Sequence, residues 1–265
     1  MRLPAPSGIV TLTTDFGSVD PYVAQMKGVV LGQCRRAVLV DVVHELPPQD
    51  IGAAAFVMAS LVERFPAGTV HIGVVDPGVG SARRVLGVAA ADAFWLAPDN
   101  GLLTALLARE DARALVIDVD ALGIRPASRT FHGRDVFAPI AGRLAGGTLG
   151  FASLGPRCAD PVRLAGPSGS GARVVWVDRY GNLITDLVLT PGSVCRGVVA
   201  AGREAPLVGC YADAAPGSLV SLVGSYQTVE LALVGGSAAR ELGIGAGTPV
   251  QAQTSRLDTQ DQDGR

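Results

Sequence analysis

The sequence predicts an α/β N-terminal domain with a mainly parallel central sheet, followed by a smaller all-β, barrel-like C-terminal domain. Over the first two thirds of the 265 residues, apolar β-branched runs alternate with segments of helical spacing, which is typical of layered α/β folds. A stretch rich in Gly, Pro and Ser at 165–171 predicts a linker. Short runs with turn signals at 172–253 indicate the β domain, and we expect the polar tail at 254–265 to fray.

The N-terminal domain, predicted over 1–164, begins with a short β-branched run that ends near Asp15. The next segment has apolar residues at helical spacing, and the run after it is almost wholly apolar, as expected of a buried parallel strand. The alternation continues along the domain. The predicted strands are 9–13, 37–43, 69–75, 85–90, 94–97 and 114–119, and the predicted helices are 21–31, 51–65, 102–109 and 136–144.

The C-terminal domain is predicted from a change in the pattern of the chain. Short strand-like runs separated by turn residues replace the alternation of strands and helices, which favours a sheet without crossover helices. The predicted strands are 173–178, 183–188, 219–223, 228–233 and 249–252.

Composition and charge argue against several classes of protein. The 24 acidic and 22 basic residues form no basic cluster, so we expect no nucleic-acid partner. No stretch approaches the ~20 consecutive apolar residues of a membrane helix, so we expect no membrane partner. Residues 1–8 lack the apolar core of a secretory signal, so we expect a cytoplasmic location.

The four cysteines, Cys34, Cys158, Cys195 and Cys210, lack the spacing of a zinc site or a redox motif. We therefore expect free or buried thiols.

The first candidate site is the turn at 13–17, which contains Asp15 and is followed by Asp20. A carboxylate just past a strand, beside a Gly turn, can accept hydrogen bonds from the two vicinal hydroxyls of a ribose. Ligands of α/β proteins collect at this edge of the sheet. A capped turn is the alternative interpretation.

The second candidate site is the Gly-rich loop at 75–84, which carries Asp76 and Arg83. Its glycines allow sharp turns or a close approach of the backbone to a ligand. The Lys and Ser/Thr of a P-loop are absent, so this pattern does not predict a nucleoside triphosphatase. Asp76 and Arg83 could instead form a simple loop ion pair.

The third candidate site is His132, just before a predicted helix. A helix N-terminus disfavours the imidazolium form and favours anions. The chain has three histidines, of which His44 and His71 lie in or beside apolar strand runs and are expected to be structural. Because no HxH or HExxH spacing occurs, we expect no metal site.

Together these segments resemble the SAM hydroxide adenosyltransferase family, which is related to the S-adenosyl-L-methionine (SAM)-dependent fluorinase and chlorinase. The resemblance covers nearly the whole chain and includes Gly217-Ser218-Leu219 and Ser225-Tyr226 near its end. The matching segments are TTDFG at 13–17, DPGVG at 76–80, APDNGLL at 97–103, FHGRDVFAP at 131–139 and DRYGNLITD at 178–186.

The resemblance implies that Asp76, Arg83 and His132 form the set that marks the hydroxide-using members. The halogenases carry Tyr in place of Asp76, and the fluorinase has Tyr-Ser where this chain has His132-Gly133. The fluorinase also has an insertion before the segment at 97–98, which is absent here. The implied reaction is hydrolysis of SAM to adenosine and L-methionine, with SAM as substrate and no cofactor.

The resemblance also implies the substrate-binding residues and the assembly. Asp15 would hold the ribose hydroxyls with Asp20 nearby, and Gly133 would lie beside the substrate. The methionine amino and carboxylate groups would be held in the second domain, where Asn182 could also meet the adenine. A homotrimer with the site at a subunit interface is implied as well. The residues assigned to the second domain are Asp178, Asn182, Ser225 and Tyr226.

Two alternatives remain open at the level of sequence. A halogenase of the same fold would use chloride as the nucleophile, and a non-catalytic SAM- or adenosine-binding protein would need the binding residues without the Asp–Arg–His set. A halide assay distinguishes the first, and tight binding without turnover distinguishes the second.

Overall fold

The structure is a computed structural model that describes residues 3–165, 171–190 and 194–255. The chain divides into two compact units between Leu164 and Ala165. Residues 166–170 of the predicted linker and residues 256–265 of the predicted tail lie outside the described residues.

The first unit is built on a six-stranded sheet with the order β2-β1-β3-β5-β4-β6. Strand β1 pairs in parallel with β2 and β3, and β3 pairs in parallel with β5, whereas β4 runs antiparallel to both of its neighbours. The mainly parallel sheet predicted from the sequence is therefore confirmed. Its strands are β1 (Ile9–Thr14), β2 (Val38–Val43), β3 (Val70–Val74), β4 (Val85–Ala90), β5 (Ala93–Pro98) and β6 (Arg113–Val116).

Helices accompany this sheet and close its core. Gly142 lets helix α4 (Ala138–Ala145) lie close to helix α1 (Tyr22–Gln33), because a Cβ at this position would fall 2.8 Å from the carbonyl oxygen of Val30. The packed interior includes Leu12, Ile72 and Phe137, all fully buried. The helices are α1 (Tyr22–Gln33), α2 (Ile51–Ser60), α3 (Thr104–Leu107) and α4 (Ala138–Ala145), with a 3₁₀ turn at Phe151–Ser153.

A π-helical turn, Gly133–Phe137, leads directly into α4. Its signature is the hydrogen bond from the Ala138 N–H to the Gly133 carbonyl, five residues back. Pro139 follows and has no N–H to donate, so it cannot extend a regular ladder across this point. The helix predicted to start at residue 136 therefore begins three residues earlier, with a wider turn that the apolar spacing does not reveal.

The second unit is an antiparallel seven-stranded sheet with the order β10-β9-β13-β7-β8-β12-β11. The segment after β10 meets β11 through a bridge between Leu207 and Ser221, which nearly closes a barrel and confirms the predicted class. The strand β13 continues to Ser255, two residues into the predicted tail. The elements are β7 (Ala172–Val177), β8 (Leu183–Thr185), β9 (Val194–Ala200), β10 (Arg203–Pro206), β11 (Leu219–Val223), β12 (Val229–Leu233), α5 (Ala238–Leu242) and β13 (Pro249–Ser255), with a 3₁₀ turn at Tyr211–Asp213.

Candidate active site

Two neighbouring strands of the first unit bring Asp15 and Asp76 to the same edge of the sheet. Strands β1 and β3 are parallel and in direct register, with Thr14 opposite Val74. Asp15 follows the last residue of β1, and Asp76 lies two residues beyond β3. Because the carboxyl ends of adjacent parallel strands meet at one edge, both carboxylates lie where ligands bind in such sheets.

Asp76, Arg83 and His132 form one hydrogen-bonded set. The Arg83 Nε donates to Asp76 Oδ1 at 2.7 Å, and one Arg83 terminal nitrogen donates to Asp76 Oδ2. The same terminal nitrogen lies 2.9 Å from His132 Nδ1. The Arg83 and Asp76 side chains are only 9% and 5% exposed. Such a bidentate, largely desolvated pair fixes the guanidinium much more firmly than a surface ion pair would.

A close contact between two loops places Arg83 beside His132. Gly80 adopts a positive φ of 78°, and a Cβ there would lie 2.6 Å from the Arg129 carbonyl oxygen. The Arg129 guanidinium in turn donates to the Gly80 carbonyl at 3.1 Å. The loop that carries Arg83 is therefore pressed against the segment that leads into His132.

The His132 imidazole is held in its neutral form. Partial burial lowers its pKa below the ordinary value, the Arg83 cation lowers the pKa further, and the Asp76 and Asp135 carboxylates oppose the shift only in part. Since the arginine can only donate, His132 Nδ1 is the acceptor of their hydrogen bond. The proton of the neutral ring then resides on Nε2, which makes Nε2 a donor.

Asp76 and His132 line a cavity of about 410 Å³ in the first unit, and Arg83 contacts both of them. Phe16, Tyr22 and Phe131 form an aromatic cluster on its wall, with ring centroids 5.3–5.8 Å apart. Gly133 is buried and also lines the cavity, and a Cβ there would lie 3.0 Å from the Met26 sulfur and 3.2 Å from the Phe131 ring. The cavity thus combines an apolar wall with the polar set and has room for a small molecule.

Asp15 faces the same cavity with its carboxylate anchored on one side. Its Oδ2 accepts a hydrogen bond from the Gln49 N–H at 2.8 Å, and Gln49 itself has a positive φ of 65°. Oδ1 has no hydrogen-bond partner among the described residues. Asp20 is exposed and does not line this cavity, whereas Asp15 does.

The predicted residues of the second unit line a separate cavity of about 990 Å³. The Asp178 Oδ1 accepts from the Tyr180 and Asn182 backbone N–H groups, and its Oδ2 accepts from the Asn182 side-chain amide at 2.9 Å. Asn182 is 7% exposed. Ser225 and Tyr226 line the same cavity, so all four residues predicted for this domain come together.

Two further polar residues of this cavity escaped the sequence analysis. The Tyr211 hydroxyl donates to Glu230, and the Asn182 amide lies 3.5 Å from the same hydroxyl. Burial and the Glu230 hydrogen bond raise the pKa of Tyr211, so the phenol stays protonated. Glu230 is 5% exposed in an otherwise apolar strand, and that charge among apolar neighbours was the available signal.

The other two histidines have structural partners, as predicted. His71 is 1% exposed, stacks on Trp95 with centroids 4.0 Å apart and bonds Thr11 Oγ1 through Nδ1 at 2.8 Å. His44 forms hydrogen bonds with Thr14 and Asp41.

All four cysteines are free thiols. Within residues 3–165, 171–190 and 194–255, no group of three or more His, Cys, Asp or Glu side chains could hold a metal ion.

The fold and the site define a class of protein. It has an α/β unit and a β-barrel-like unit, and in the first unit a carboxylate and a neutral imidazole that line a cavity both contact one arginine. No helix in the described part of the chain is long and apolar enough to cross a membrane.

The chain belongs to the SAM hydroxide adenosyltransferase family. The N-terminal domain model of that family matches residues 10–155, and its C-terminal domain model matches residues 172–251. A protein named (R)-S-adenosyl-L-methionine hydrolase from Salinispora tropica is 39% identical over 92% of this chain and 97% of its own length. A fluorinase from Actinopolyspora mzabensis is more distant, at 28% identity over 52% of this chain and 54% of its own length. The crystal structure of an uncharacterized conserved protein from Thermotoga maritima aligns with a TM-score of 0.83 and 27% identity, over 92% of this chain and 99% of that one.

Proposed function

We propose that the protein hydrolyses SAM to adenosine and L-methionine by attack of a water-derived hydroxide at the ribose C5′ carbon. The observation that carries the proposal is the Asp76–Arg83–His132 set, of which Asp76 and His132 line the same cavity as Asp15. Membership in the SAM hydroxide adenosyltransferase family and the name of the Salinispora relative support the same activity.

The leaving group needs little help in this reaction. The water oxygen forms a bond to C5′ while the C5′–S bond breaks, and the bonding pair goes to sulfur, so that the sulfonium becomes neutral methionine. One water proton is released to solvent, and the other stays on the new 5′-hydroxyl. The difficult part is the nucleophile, because bulk water has a pKa of about 15.7.

The geometry suggests how the three side chains divide this work. Both Asp76 oxygens are engaged by Arg83, so Asp76 serves to hold the guanidinium in place. Arg83 is a permanent cation that favours hydroxide over water. His132 presents an Nε2–H that donates to the nucleophile and orients it. Preorganised donors of this kind act strongly in a site that excludes water.

Substrate binding is proposed for two groups of residues. Asp15 holds the ribose hydroxyls through Oδ1, the oxygen that Gln49 does not occupy, and Gly133 lies beside the substrate in the same cavity. The cavity of the second unit holds the methionine part through its acidic and hydroxyl groups, with Asn182 also available to the adenine. The residues proposed for that role are Asp178, Asn182, Ser225 and Tyr226.

We also propose that the protein is a homotrimer that acts in the cytoplasm without a cofactor. The resemblance of the chain to its family supports the trimer, with the complete site at a subunit interface. Size-exclusion chromatography with light scattering should give about three times the 27.1 kDa mass of the chain. A monomer mass at working concentration would contradict the assembly.

The decisive experiment is a product analysis in ¹⁸O-labelled water, in chloride-free buffer that contains a chelator. We expect adenosine and methionine in equal amounts, with ¹⁸O in the 5′-hydroxyl of adenosine. Each sulfonium epimer should be tested separately, because the Salinispora relative is named for the R form. Formation of 5′-chloro-adenosine on addition of chloride would identify a halogenase, and tight SAM binding without product would identify a binding protein.

A further inference from the structure

The turn that carries Asp15 is held by hydrogen bonds from one neighbouring segment, which runs from His44 to Gln49. The His44 carbonyl accepts from the Gly17 N–H at 2.7 Å. The His44 Nδ1 meets the Thr14 hydroxyl at 2.8 Å, and the Gln49 N–H donates to the Asp15 carboxylate at 2.8 Å. Three hydrogen bonds from a single segment thus hold the chain before Asp15, the chain after it and the Asp15 carboxylate itself.

The His44 side chain is oriented by groups behind it. Its Nε2 lies 2.9 Å from Asp41 Oδ1, and the Lys27 Nζ lies 2.5 Å from Asp41 Oδ2. Burial alone would raise the pKa of Asp41, but the hydrogen bonds from Lys27 and His44 outweigh it and hold the pKa below its ordinary value. Since an ionised carboxylate can only accept, His44 Nε2 carries a proton and donates to Asp41, and in the Nε2–H tautomer Nδ1 is an acceptor.

This tautomer determines what Thr14 can do. With its proton on Nε2, the His44 ring accepts the Thr14 hydroxyl proton at Nδ1, and the Thr14 oxygen is left to accept from the Phe16 N–H at 3.3 Å. Thr14 is fully buried, so water cannot replace either partner. Removal of the His44 acceptor would leave a buried hydroxyl without its partner, directly before Asp15.

We propose that His44 is a positioning residue for substrate binding, which fixes the Asp15 carboxylate through Thr14 and is itself oriented by Asp41 and Lys27. The inference rests on the proposed function, because it assigns to Asp15 the ribose hydroxyls of SAM. His44 does not line the cavity of the first unit, so it acts through the turn and not on the substrate. Acceptance of hydrogen bonds from two vicinal hydroxyls at Oδ1 requires a fixed carboxylate, which explains why the turn needs such a support.

The test compares His44→Ala and His44→Asn in steady-state kinetics with SAM. Ala removes the acceptor for Thr14, whereas the Asn side-chain oxygen can occupy the position of Nδ1. We expect H44A to raise KM about five- to tenfold with kcat within about twofold, because ribose binding is lost equally in ground and transition states. H44N should restore KM to within about twofold of the wild-type value.

A matched pair of threonine variants separates positioning from general stability. Thr14→Val and Thr69→Val each remove one fully buried hydroxyl that makes two hydrogen bonds. Thr14 ends β1 whereas Thr69 precedes β3, so in this parallel pair the two lie at opposite edges of the sheet. We expect T14V to raise KM as H44A does and T69V to leave KM unchanged, although both should lower the melting temperature.

Two further readouts test the inference, and the first does not depend on turnover. Amide hydrogen exchange at residues 15–17 should be faster in H44A and unchanged in T69V. In a double-mutant cycle, His44→Ala should have no further effect on KM once Asp15→Ala is present, because both act through one group. Additive losses, or unchanged KM and exchange in H44A, would overturn the role of His44.

The two proposals fail in different ways. Wild-type protein that releases no adenosine from either SAM epimer would refute the proposed function. Hydrogen exchange and adenosine binding by calorimetry would then still decide whether His44 orders the Asp15 turn. Wild-type turnover with an unaltered KM in H44A would refute the positioning role alone.

Discussion

Replacement of Arg83 by Lys tests whether catalysis needs the geometry of the guanidinium or only its charge. The arginine donates from Nε and a terminal nitrogen to both Asp76 oxygens, and the same terminal nitrogen reaches His132. A single ammonium keeps the charge but cannot make all three contacts, because it offers no planar fork. Loss of one preorganised donor of this kind lowers kcat by about 10²–10³, or roughly 2.7–4 kcal/mol.

We therefore expect R83K to lower kcat at least about 100-fold and to change KM by less than about threefold, since none of the Arg83 contacts involves Asp15. Adenosine release under saturating SAM measures kcat. The adjacent Arg84→Lys is a matched control, because Arg84 pairs with Asp99 and Asp160 and not with Asp76 or His132. A kcat within threefold of wild type for R83K, or an equal loss in R84K, would refute the reasoning.

Three further predictions concern single residues. His132→Ala should lose turnover much more than SAM affinity, and equal losses in kinetics and calorimetry would move His132 from catalysis to binding. Asp15→Ala should weaken SAM and adenosine binding, and unchanged calorimetric affinity would contradict the ribose assignment. His71 should make the protein less stable in acid, because burial lowers its folded pKa from 6.5 to about 3, so that between these values only the unfolded chain takes up the proton. From pH 7.5 to pH 5 this group should cost about 2 kcal/mol of unfolding free energy in urea titrations, and His71→Asn should flatten that part of the profile.

The fold class and several site residues followed from local sequence patterns. The β-branched run before Asp15 and the apolar run before Asp76 were predicted as strands, and a parallel sheet must bring such strand ends to one edge. The resemblance joined Asp76, Arg83 and His132 into one set, although His132 lies far from the other two in sequence. These predictions depend on local spacing and on matching motifs, and neither requires knowledge of packing.

Element boundaries depended on contacts that local patterns do not contain. The helix predicted at 51–65 stops at Ser60, and the π turn at Gly133–Phe137 precedes the helix predicted from 136. The strands Val194–Ala200 and Arg203–Pro206 were not predicted, because pairing with β13 and across the hairpin stabilises them and their own alternation is weak.

The sequence by itself determined the layered α/β unit, the β unit and the chemistry-bearing residues, because periodicity and motif spacing are local properties. Only the tertiary structure decided which atoms meet. It locked Arg83 onto both Asp76 oxygens, set the His132 tautomer, left Asp20 outside the cavity and supported Asp15 from His44. These outcomes depend on hydrogen bonds between residues distant in sequence, and their geometry exists only once the strands and loops have packed.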